Sequence, residues 1–429
     1  METFTPSQDE SRARSRNVEN IICGPTRVTP NLPVELHKLI VDELEGEKKA
    51  LKQCALTCRL YRHFAQKLLF KKVVFRFSCS LDLDSSSAEF LDIIRASPQI
   101  VNYVQQFRLH LNVPPEPHRI AEDLRARSMT PEIFRILTNV VDLVLNWERR
   151  PHSFSAMDSS TRLAIMDKCE CLLNLTVRHT YDVPLKIFDH LHRLERLTLG
   201  DVIFVNKPDA QVAQTAPYRI KHMNLGAIEA RGVATLFPFL VSKGIGMGTL
   251  ESLAIHITHA GGGALPLTDF QAAKSLIRSS AGSLKVLDVR ISSPVPSILP
   301  DAEPLFHLSE MPLLEEWSLE GGVCYSEIAQ GTSSPVGLGW LSRQLETIPS
   351  GRKFKRITLH PSITKKNDKL DFESFKYFER LVVDKVLSHT ESFSVHFPIW
   401  EDELSSKWRI QTHLRILNRL HLLHFRRHR

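Results

Sequence analysis

Two glycine-rich segments of this chain come closest to the spacing of a nucleotide-binding loop. Gly244, Gly246 and Gly248 alternate with other residues, but they stand just before an apolar, strand-like segment. The phosphate-binding turn of a dinucleotide site instead follows a strand and opens a helix. Gly261 to Gly263 precede Ala-Leu-Pro, so they lack the Gly-Lys-Ser/Thr ending of a P-loop. Both segments therefore predict loops and no nucleotide site.

Side chains that bind metals or act as nucleophiles do not occur here at the spacing of a known centre. Cys54 and Cys58 lie one helical turn apart, but no second pair stands at zinc spacing. Both fall on apolar positions of a predicted helix, so we expect buried core cysteines and not ligands. The 19 histidines form no His-Glu-x-x-His arrangement, and no Gly-x-Ser-x-Gly elbow is present. Acidic pairs such as Glu315 and Glu316 are interpreted as solvated faces. We expect no catalytic residue, no cofactor and no metal site.

The formal charge of +7 is concentrated at one end of the chain. Residues 407–429 carry seven Lys and Arg and no acid, so the other 406 residues balance at 48 basic against 48 acidic side chains. This count predicts a basic C-terminal segment and no basic face in the body of the protein.

The composition is that of an ordinary globular protein, with 42% apolar and 8% aromatic residues. No apolar run reaches the length of a membrane span, and the first thirty residues lack the apolar core of a signal peptide. The seven cysteines are an odd number without a dense framework, as in a reducing compartment. We expect an intracellular protein of the cytoplasm or nucleus, with residues 1–28 as a disordered lead.

Residues 32 to 70 hold three short segments in which apolar residues recur at three- and four-residue steps. The first opens at Leu32 and Pro33, where a proline has no N–H to leave unpaired, and ends at Gly46. The others are predicted as helices at residues 48–58 and 61–70. So small a bundle has little core, and apolar helix surface that a domain leaves uncovered is usually an interface.

This segment resembles the F-box, the motif by which substrate receptors of ubiquitin ligases dock on the Skp adaptor. The resemblance covers about a tenth of the chain and rests on Leu32-Pro33-x-Glu35-Leu36, Ile40, Leu44, Leu51-x-x-Cys54 and Cys58-Arg59-x-Tyr61-Arg62. Tyr61 stands where the family often has Trp. The resemblance implies an adaptor surface formed or supported by Leu32, Pro33, Leu36, Ile40, Leu44, Leu51, Cys54, Cys58 and Tyr61. The alternative is a helical cap whose apolar residues all serve the domain behind it.

Behind this segment, an apolar-x-x-apolar-x-apolar pattern recurs ten times, as at Leu250, Leu253 and Ile255. Each copy predicts a short strand, and the helical stretches between copies predict crossover helices of a parallel stack. The pattern is similar to the leucine-rich repeat. We predict an α/β fold: a three-helix F-box-like bundle at residues 29–75, then an irregular leucine-rich-repeat-like solenoid of short parallel strands and helices at residues 100–400. An ordinary doubly wound α/β domain is the alternative.

Residues 401–429 are basic and carry apolar residues at helical steps, including Ile410, Leu414, Leu417, Leu420 and Leu423. A solenoid needs a terminal cap with a polar outer side, and we expect a helix here to provide it. A frayed tail and an anion-binding surface are the alternatives.

The resemblances together imply a non-catalytic substrate receptor of an SCF-type cullin–RING ubiquitin ligase. Its F-box-like bundle would bind the Skp adaptor, and its repeat domain would bind a target protein that the sequence does not identify. One alternative is a repeat scaffold that never joins a ligase. Another is a protein that associates with RNA or anionic lipid through its basic C-terminal segment.

Overall fold

The computed structural model describes eleven segments of the chain: residues 32–78, 84–112, 130–147, 152–205, 218–245, 248–258, 266–291, 304–321, 336–361, 372–399 and 404–427. The predicted disordered lead, residues 1–28, lies outside the described residues. The chain divides into two compact units, one ending at Leu69 and the other beginning at Phe70.

Three short helices lie where the apolar pattern of the first unit predicts them: α1 (Val34–Asp42), α2 (Lys48–Thr57) and α3 (Arg59–Phe70). The carbonyl of Pro33 accepts the first hydrogen bond of α1, from the N–H of Leu36 at 3.0 Å. Cys58 separates α2 from α3 because its backbone is extended, with φ −154° and ψ 169°. The centre of this bundle is formed by Val41, Leu51, Phe64 and Ala65.

The second unit contains one sheet of 13 strands, all of them parallel, within the described residues. Except for β4, which pairs only with β5, the strands follow one another in chain order across the sheet. The strands are β1 (Lys72–Ser78), β2 (Gln106–Asn112), β3 (Asp142–Trp147), β4 (His152–Ser153), β5 (Asn174–Pro184), β6 (Arg196–Val205), β7 (His222–Glu229), β8 (Ser252–Thr258), β9 (Val286–Ile291), β10 (Glu316–Gly321), β11 (Phe354–Pro361), β12 (Thr390–Ile399) and β13 (Leu423–Arg427).

Helices connect these strands. The α-helices are α4 (Asp84–Ala96), α5 (Thr130–Ile136), α6 (Ser159–Cys169), α7 (Ala230–Ser242), α8 (Leu267–Ser280), α9 (Val336–Glu346), α10 (Phe372–Leu381), α11 (Leu404–His413) and α12 (Arg415–Arg419). Short 3-10 turns are Pro98–Tyr103, Phe154–Ala156, Leu185–His190, Leu308–Glu310 and Leu387–His389, and Val382–Val386 is a π-helical turn.

Each of the ten predicted copies of the apolar pattern coincides with a strand, from β2 to β12 with β4 left out. Alternate strand residues such as Leu253, Ile255 and Leu287 join the helices in one continuous core, while the residues between them lie on the opposite, open face of the sheet. A doubly wound sheet would place later strands on both sides of the first. The chain-order sheet is therefore a solenoid-like α/β fold.

The C-terminal segment differs from its predicted single helix. Helix α12 ends at Arg419, and His421 then adopts a left-handed backbone with φ 56°. The following residues form β13, which pairs with β12 from Val395 to Ile399. Apolar residues at Leu420 and Leu423 fit a helical step, but hydrogen bonding to the exposed edge of the sheet decides their conformation.

A row of side chains with alternating charge, which was not predicted from the sequence, lies at the N-terminal ends of successive strands. Its members are Glu195, Lys221, Glu251, Lys285 and Glu315, each directly before a strand from β6 to β10, and Lys355, the second residue of β11. Ion pairs join them in twos, with N–O distances of 3.3, 3.0 and 2.6 Å. The side chain of Glu315 is 46% exposed, as expected for a solvated face, and the next repeat supplies its cation.

Candidate docking surface

Helix α1 leaves nearly all of its apolar side chains uncovered. Leu36 is 42% exposed, Leu39 58% and Ile40 50%, and Leu32 and Val34 at the start of the helix are comparably exposed. Only Val41 of α1 is fully buried. Residues three and four apart share one side of a helix, so Leu36, Leu39 and Ile40 form a continuous apolar patch. We call the five exposed side chains the α1 face.

The nine predicted adaptor residues fall into two groups. Leu32, Pro33, Leu36, Ile40 and Cys58 are exposed. Leu51 is buried at the centre of the bundle, and the partly buried residues packed against that centre include Leu44, Cys54 and Tyr61. The first group is accessible to a partner, whereas the second holds the three helices together.

Tyr61 connects α3 to α1 through its hydroxyl group. The Tyr61 hydroxyl lies 3.1 Å from Nδ1 of His37, and the two rings meet edge to face with centroids 5.3 Å apart. An aromatic ring with a polar tip can both pack and hydrogen-bond, which suits this half-buried position.

Cys58 corrects the prediction that both cysteines of this segment are buried on a helix. Helix α2 ends at Thr57, so Cys58 is exposed between two helices, and its Sγ accepts the N–H of Tyr61 at 3.5 Å. The predicted helix extended one residue too far, to Cys58, and this extension placed the thiol in the core.

Val34, Leu39 and Leu56 are absent from the predicted adaptor surface. All three are exposed, and Leu56 on α2 reaches 74% exposure. Their residue types alone do not separate them from buried neighbours. A helical-wheel comparison with Val41, the buried member of α1, would have found Leu39 but not Leu56.

Other arrangements of reactive side chains do not form a recognisable centre in the described part of the chain. No group of three or more His, Cys, Asp or Glu there is placed to hold a metal ion. Ser153 bonds to Asp182 at 2.8 Å and His179 to Asp201 at 3.0 Å, but no hydrogen bond between described residues joins Ser153 to His179. These contacts therefore form two separate pairs and not a catalytic triad.

Gly244 and Gly248 both adopt positive φ, at 64° and 72°. Gly244 lies just after α7, and the N–H of Ile245 bonds back to the carbonyl of Leu240 at 2.9 Å. This is the backbone turn that glycine commonly provides after a helix. The segment precedes β8, as the sequence predicts for a loop.

The open face of the sheet is strongly basic over its first strands. Lys72 and Arg76 of β1, Arg108 of β2, Arg178 of β5 and Arg196 of β6 all lie on this face. We call these five residues the basic face. The prediction that the body of the protein has no basic face is wrong, because equal totals of acid and base do not prevent the two signs from separating in space.

The C-terminal basic segment is part of the folded repeat unit. Ile410, Leu414 and Leu417 are buried in its core. The carboxylate of Glu379 on α10 accepts the N–H groups of Ile416 and Leu417 at 2.7 and 3.0 Å. This contact satisfies two N–H groups at the start of α12 that have no partner within the helix.

No helix in the described residues is both long enough and apolar enough to cross a membrane. Comparison with known proteins found no matching family model and no matching curated sequence.

Proposed function

We propose that this chain is a non-catalytic substrate receptor of an SCF-type cullin–RING ubiquitin ligase. In this proposal the α1 face binds a Skp adaptor, and the repeat unit holds the target protein. The observation that carries the proposal is the exposure of five large apolar side chains on and beside a nine-residue helix. An apolar patch of this kind in a folded protein usually marks a surface that a partner covers.

The composition of the patch supports a protein partner. The exposed residues Leu32, Leu36 and Ile40 belong to the F-box-like pattern, and they lie on the accessible side of the bundle. Leu51 and Tyr61, from the same pattern, hold that side in place. The receptor itself would contribute proximity, since it brings a bound target close to the ubiquitin-charged enzyme.

The test is co-purification of the full chain with a Skp adaptor. Leu36→Ala combined with Ile40→Ala removes two exposed anchors, each expected to contribute about 2 kcal/mol. The double variant should bind the adaptor about a thousandfold more weakly, because each 1.4 kcal/mol corresponds to a factor of ten. Its thermal unfolding should match that of the wild type, since both side chains are about half exposed.

The matched control is Leu163→Ala combined with Leu313→Ala. These leucines are similarly exposed, at 63% and 51%, but belong to the repeat unit. The control should retain full adaptor binding. If the folded wild-type chain does not recover the adaptor, the ligase proposal is wrong, and a ligase-independent repeat scaffold becomes the better description.

A further inference from the structure

The basic residues on the two halves of the open face differ in how they are paired. On the later strands, Arg290 lies 2.9 Å from Asp288 and Arg356 lies 3.4 Å from Glu316. None of the five residues of the basic face forms an ion pair with a described residue. The first strands therefore present cationic side chains that no ion pair within the described residues neutralises.

One carboxylate lies among the residues that these strands place on the open face of the sheet. Asp142 of β3 is in register with Gln106 on β2, between Lys72 and Arg196 in the same row. Burial raises the pKa of Asp142, and the charges of Arg108 and Lys72 lower it in part. A single carboxylate against five cations leaves the surface with a clear positive excess.

Two polar atoms on the first strands have no hydrogen-bond partner in the described part of the chain. Nε of Arg108 and Oδ1 of Asn146 are buried and have no hydrogen-bond partner among the described residues. The first is a donor and the second an acceptor, and an unsatisfied polar atom of this kind costs stability. Both atoms are shielded from solvent, so the groups that a ligand must supply follow from the five cations and not from these two atoms.

An extended peptide with acidic side chains is complementary to the five cations of the basic face. Its backbone provides an N–H at nearly every residue, and its carboxylates match the planar fork of arginine, which makes up four of the five cations. Five strands at about 4.8 Å spacing span about 19 Å, which about six residues of extended peptide can cross.

Nucleic acid fits this surface less well. Single-stranded nucleic acid is usually held by aromatic side chains on which its bases stack. The residues in register with the basic face on these strands include no Phe, Tyr or Trp. They are mainly β-branched or polar residues such as Val74, Thr176 and Thr198.

We propose that the open face of β1, β2, β3, β5 and β6 binds an extended acidic segment of a partner protein through Lys72, Arg76, Arg108, Arg178 and Arg196. The inference rests on the proposed function in one respect, because it names the class of target that the repeat unit would hold. Adaptor binding concerns the α1 face, so the two proposals can fail separately.

The test measures binding of a fluorescein-labelled decapeptide of alternating Glu and Ser to the full chain by fluorescence anisotropy. Alternate residues of an extended peptide face the same side, so its carboxylates all point toward the sheet and those over the basic face can reach it. At about 50 mM salt the peptide should bind, and binding should weaken as salt rises because charge pairs are screened. A decapeptide of alternating Gln and Ser should not bind.

Arg108→Ala combined with Arg178→Ala should weaken binding of the acidic peptide at least about tenfold, the equivalent of one lost charge-assisted contact. The matched control, Arg290→Ala with Arg356→Ala, removes two arginines from the same sheet face and should change the affinity less than about twofold. Arg178→Gln alone keeps the test valid if the double variant unfolds, since Arg178 is exposed.

Three results would overturn the inference. The Gln-Ser peptide binding as tightly as the acidic one would remove the role of charge. An equal loss of binding in the control variant, or in Arg415→Ala with Arg419→Ala, would place the peptide elsewhere on the chain. Tighter binding of a ten-nucleotide single-stranded RNA, lost in the Arg108 and Arg178 variant, would assign the basic face to nucleic acid.

Discussion

The hydroxyl of Tyr61 and Nδ1 of His37 lie 3.1 Å apart, and this contact joins the third helix of the N-terminal bundle to the first. The unit that it helps to hold together has a centre of only four buried side chains among the described residues. The α1 face depends on such contacts, because a helix that buries only Val41 has little apolar packing to hold it.

Tyr61→Phe should therefore lower the free energy of unfolding of the bundle by about 1 kcal/mol, the usual contribution of one hydrogen bond. A double-mutant cycle with His37→Ala, followed by urea unfolding, measures the interaction itself. A coupling energy near zero would show that the two side chains do not interact in solution.

Leu51 and Leu39 should respond oppositely to truncation although both lie in the F-box-like segment. Leu51→Ala opens a cavity in the small core and should cost about 2–5 kcal/mol. Leu39→Ala removes an exposed side chain and should change stability by less than about 0.5 kcal/mol. Urea unfolding checks the first effect, and adaptor co-purification checks whether Leu39→Ala weakens binding without unfolding the bundle.

Glu379→Ala should loosen the C-terminal segment. The substitution leaves the N–H groups of Ile416 and Leu417 without their acceptor, which should cost about 1–3 kcal/mol. Hydrogen exchange at these two amides should accelerate. The control Asp384→Ala breaks an exposed ion pair with Arg380 and should have an effect below about 0.5 kcal/mol. Unchanged exchange in Glu379→Ala would contradict the capping role.

Asp158 should stabilise α6 in a pH-dependent way. It accepts the N–H of Thr161 at 2.8 Å and the hydroxyl of Ser160 at 2.5 Å. Burial raises its pKa, but the hydrogen bonds from Ser160 and Thr161 outweigh burial, so its pKa lies below the ordinary value for aspartate. Because the pKa of Asp158 is lower in the folded chain than in the unfolded chain, its stabilising effect is complete at pH values above the ordinary pKa of aspartate. The effect is lost as the pH falls through the pKa of the folded state.

Asp158→Ala should accordingly cost about 1 kcal/mol at pH 7, as expected for loss of an N-cap. The difference in stability between wild type and variant should shrink as the pH is lowered into the acid range. Urea unfolding at a series of pH values measures this difference. A cost that stays constant down to full protonation would show that the charge of Asp158 contributes nothing.

Two cysteines should differ sharply in reactivity. Burial, with a smaller effect from Glu170, raises the pKa of Cys169 to about 12, so almost no thiolate exists at neutral pH. Cys58 is exposed between two helices. Alkylation by iodoacetamide at pH 8 followed by peptide mapping should modify Cys58 and leave Cys169 unmodified. In denaturant both should react, and modification of native Cys169 would show that α6 opens readily.

Local periodicity in the sequence was sufficient to predict most secondary-structure elements. The three helices of the bundle and the ten strands from β2 to β12, β4 aside, lie where apolar spacing placed them, because a helix and a strand repeat with different periods along the chain. The turn at Gly244 was also predictable, since its neighbours and its position between elements favour a loop.

The tertiary structure alone decided which of these residues face solvent and which charges meet. Ile40 and Val41 are neighbours of the same chemical type, yet one is half exposed and the other buried, because only packing against α2 and α3 selects a side of α1. Lys285 forms an ion pair with Glu251, which lies 34 residues away in the sequence. Strand register places Arg178 on the same face of the sheet as Arg108. Register depends on contacts between distant segments, and so the basic face could not be predicted from local pattern, whereas Leu32, Leu36 and Ile40 of the α1 face were named from the F-box-like pattern.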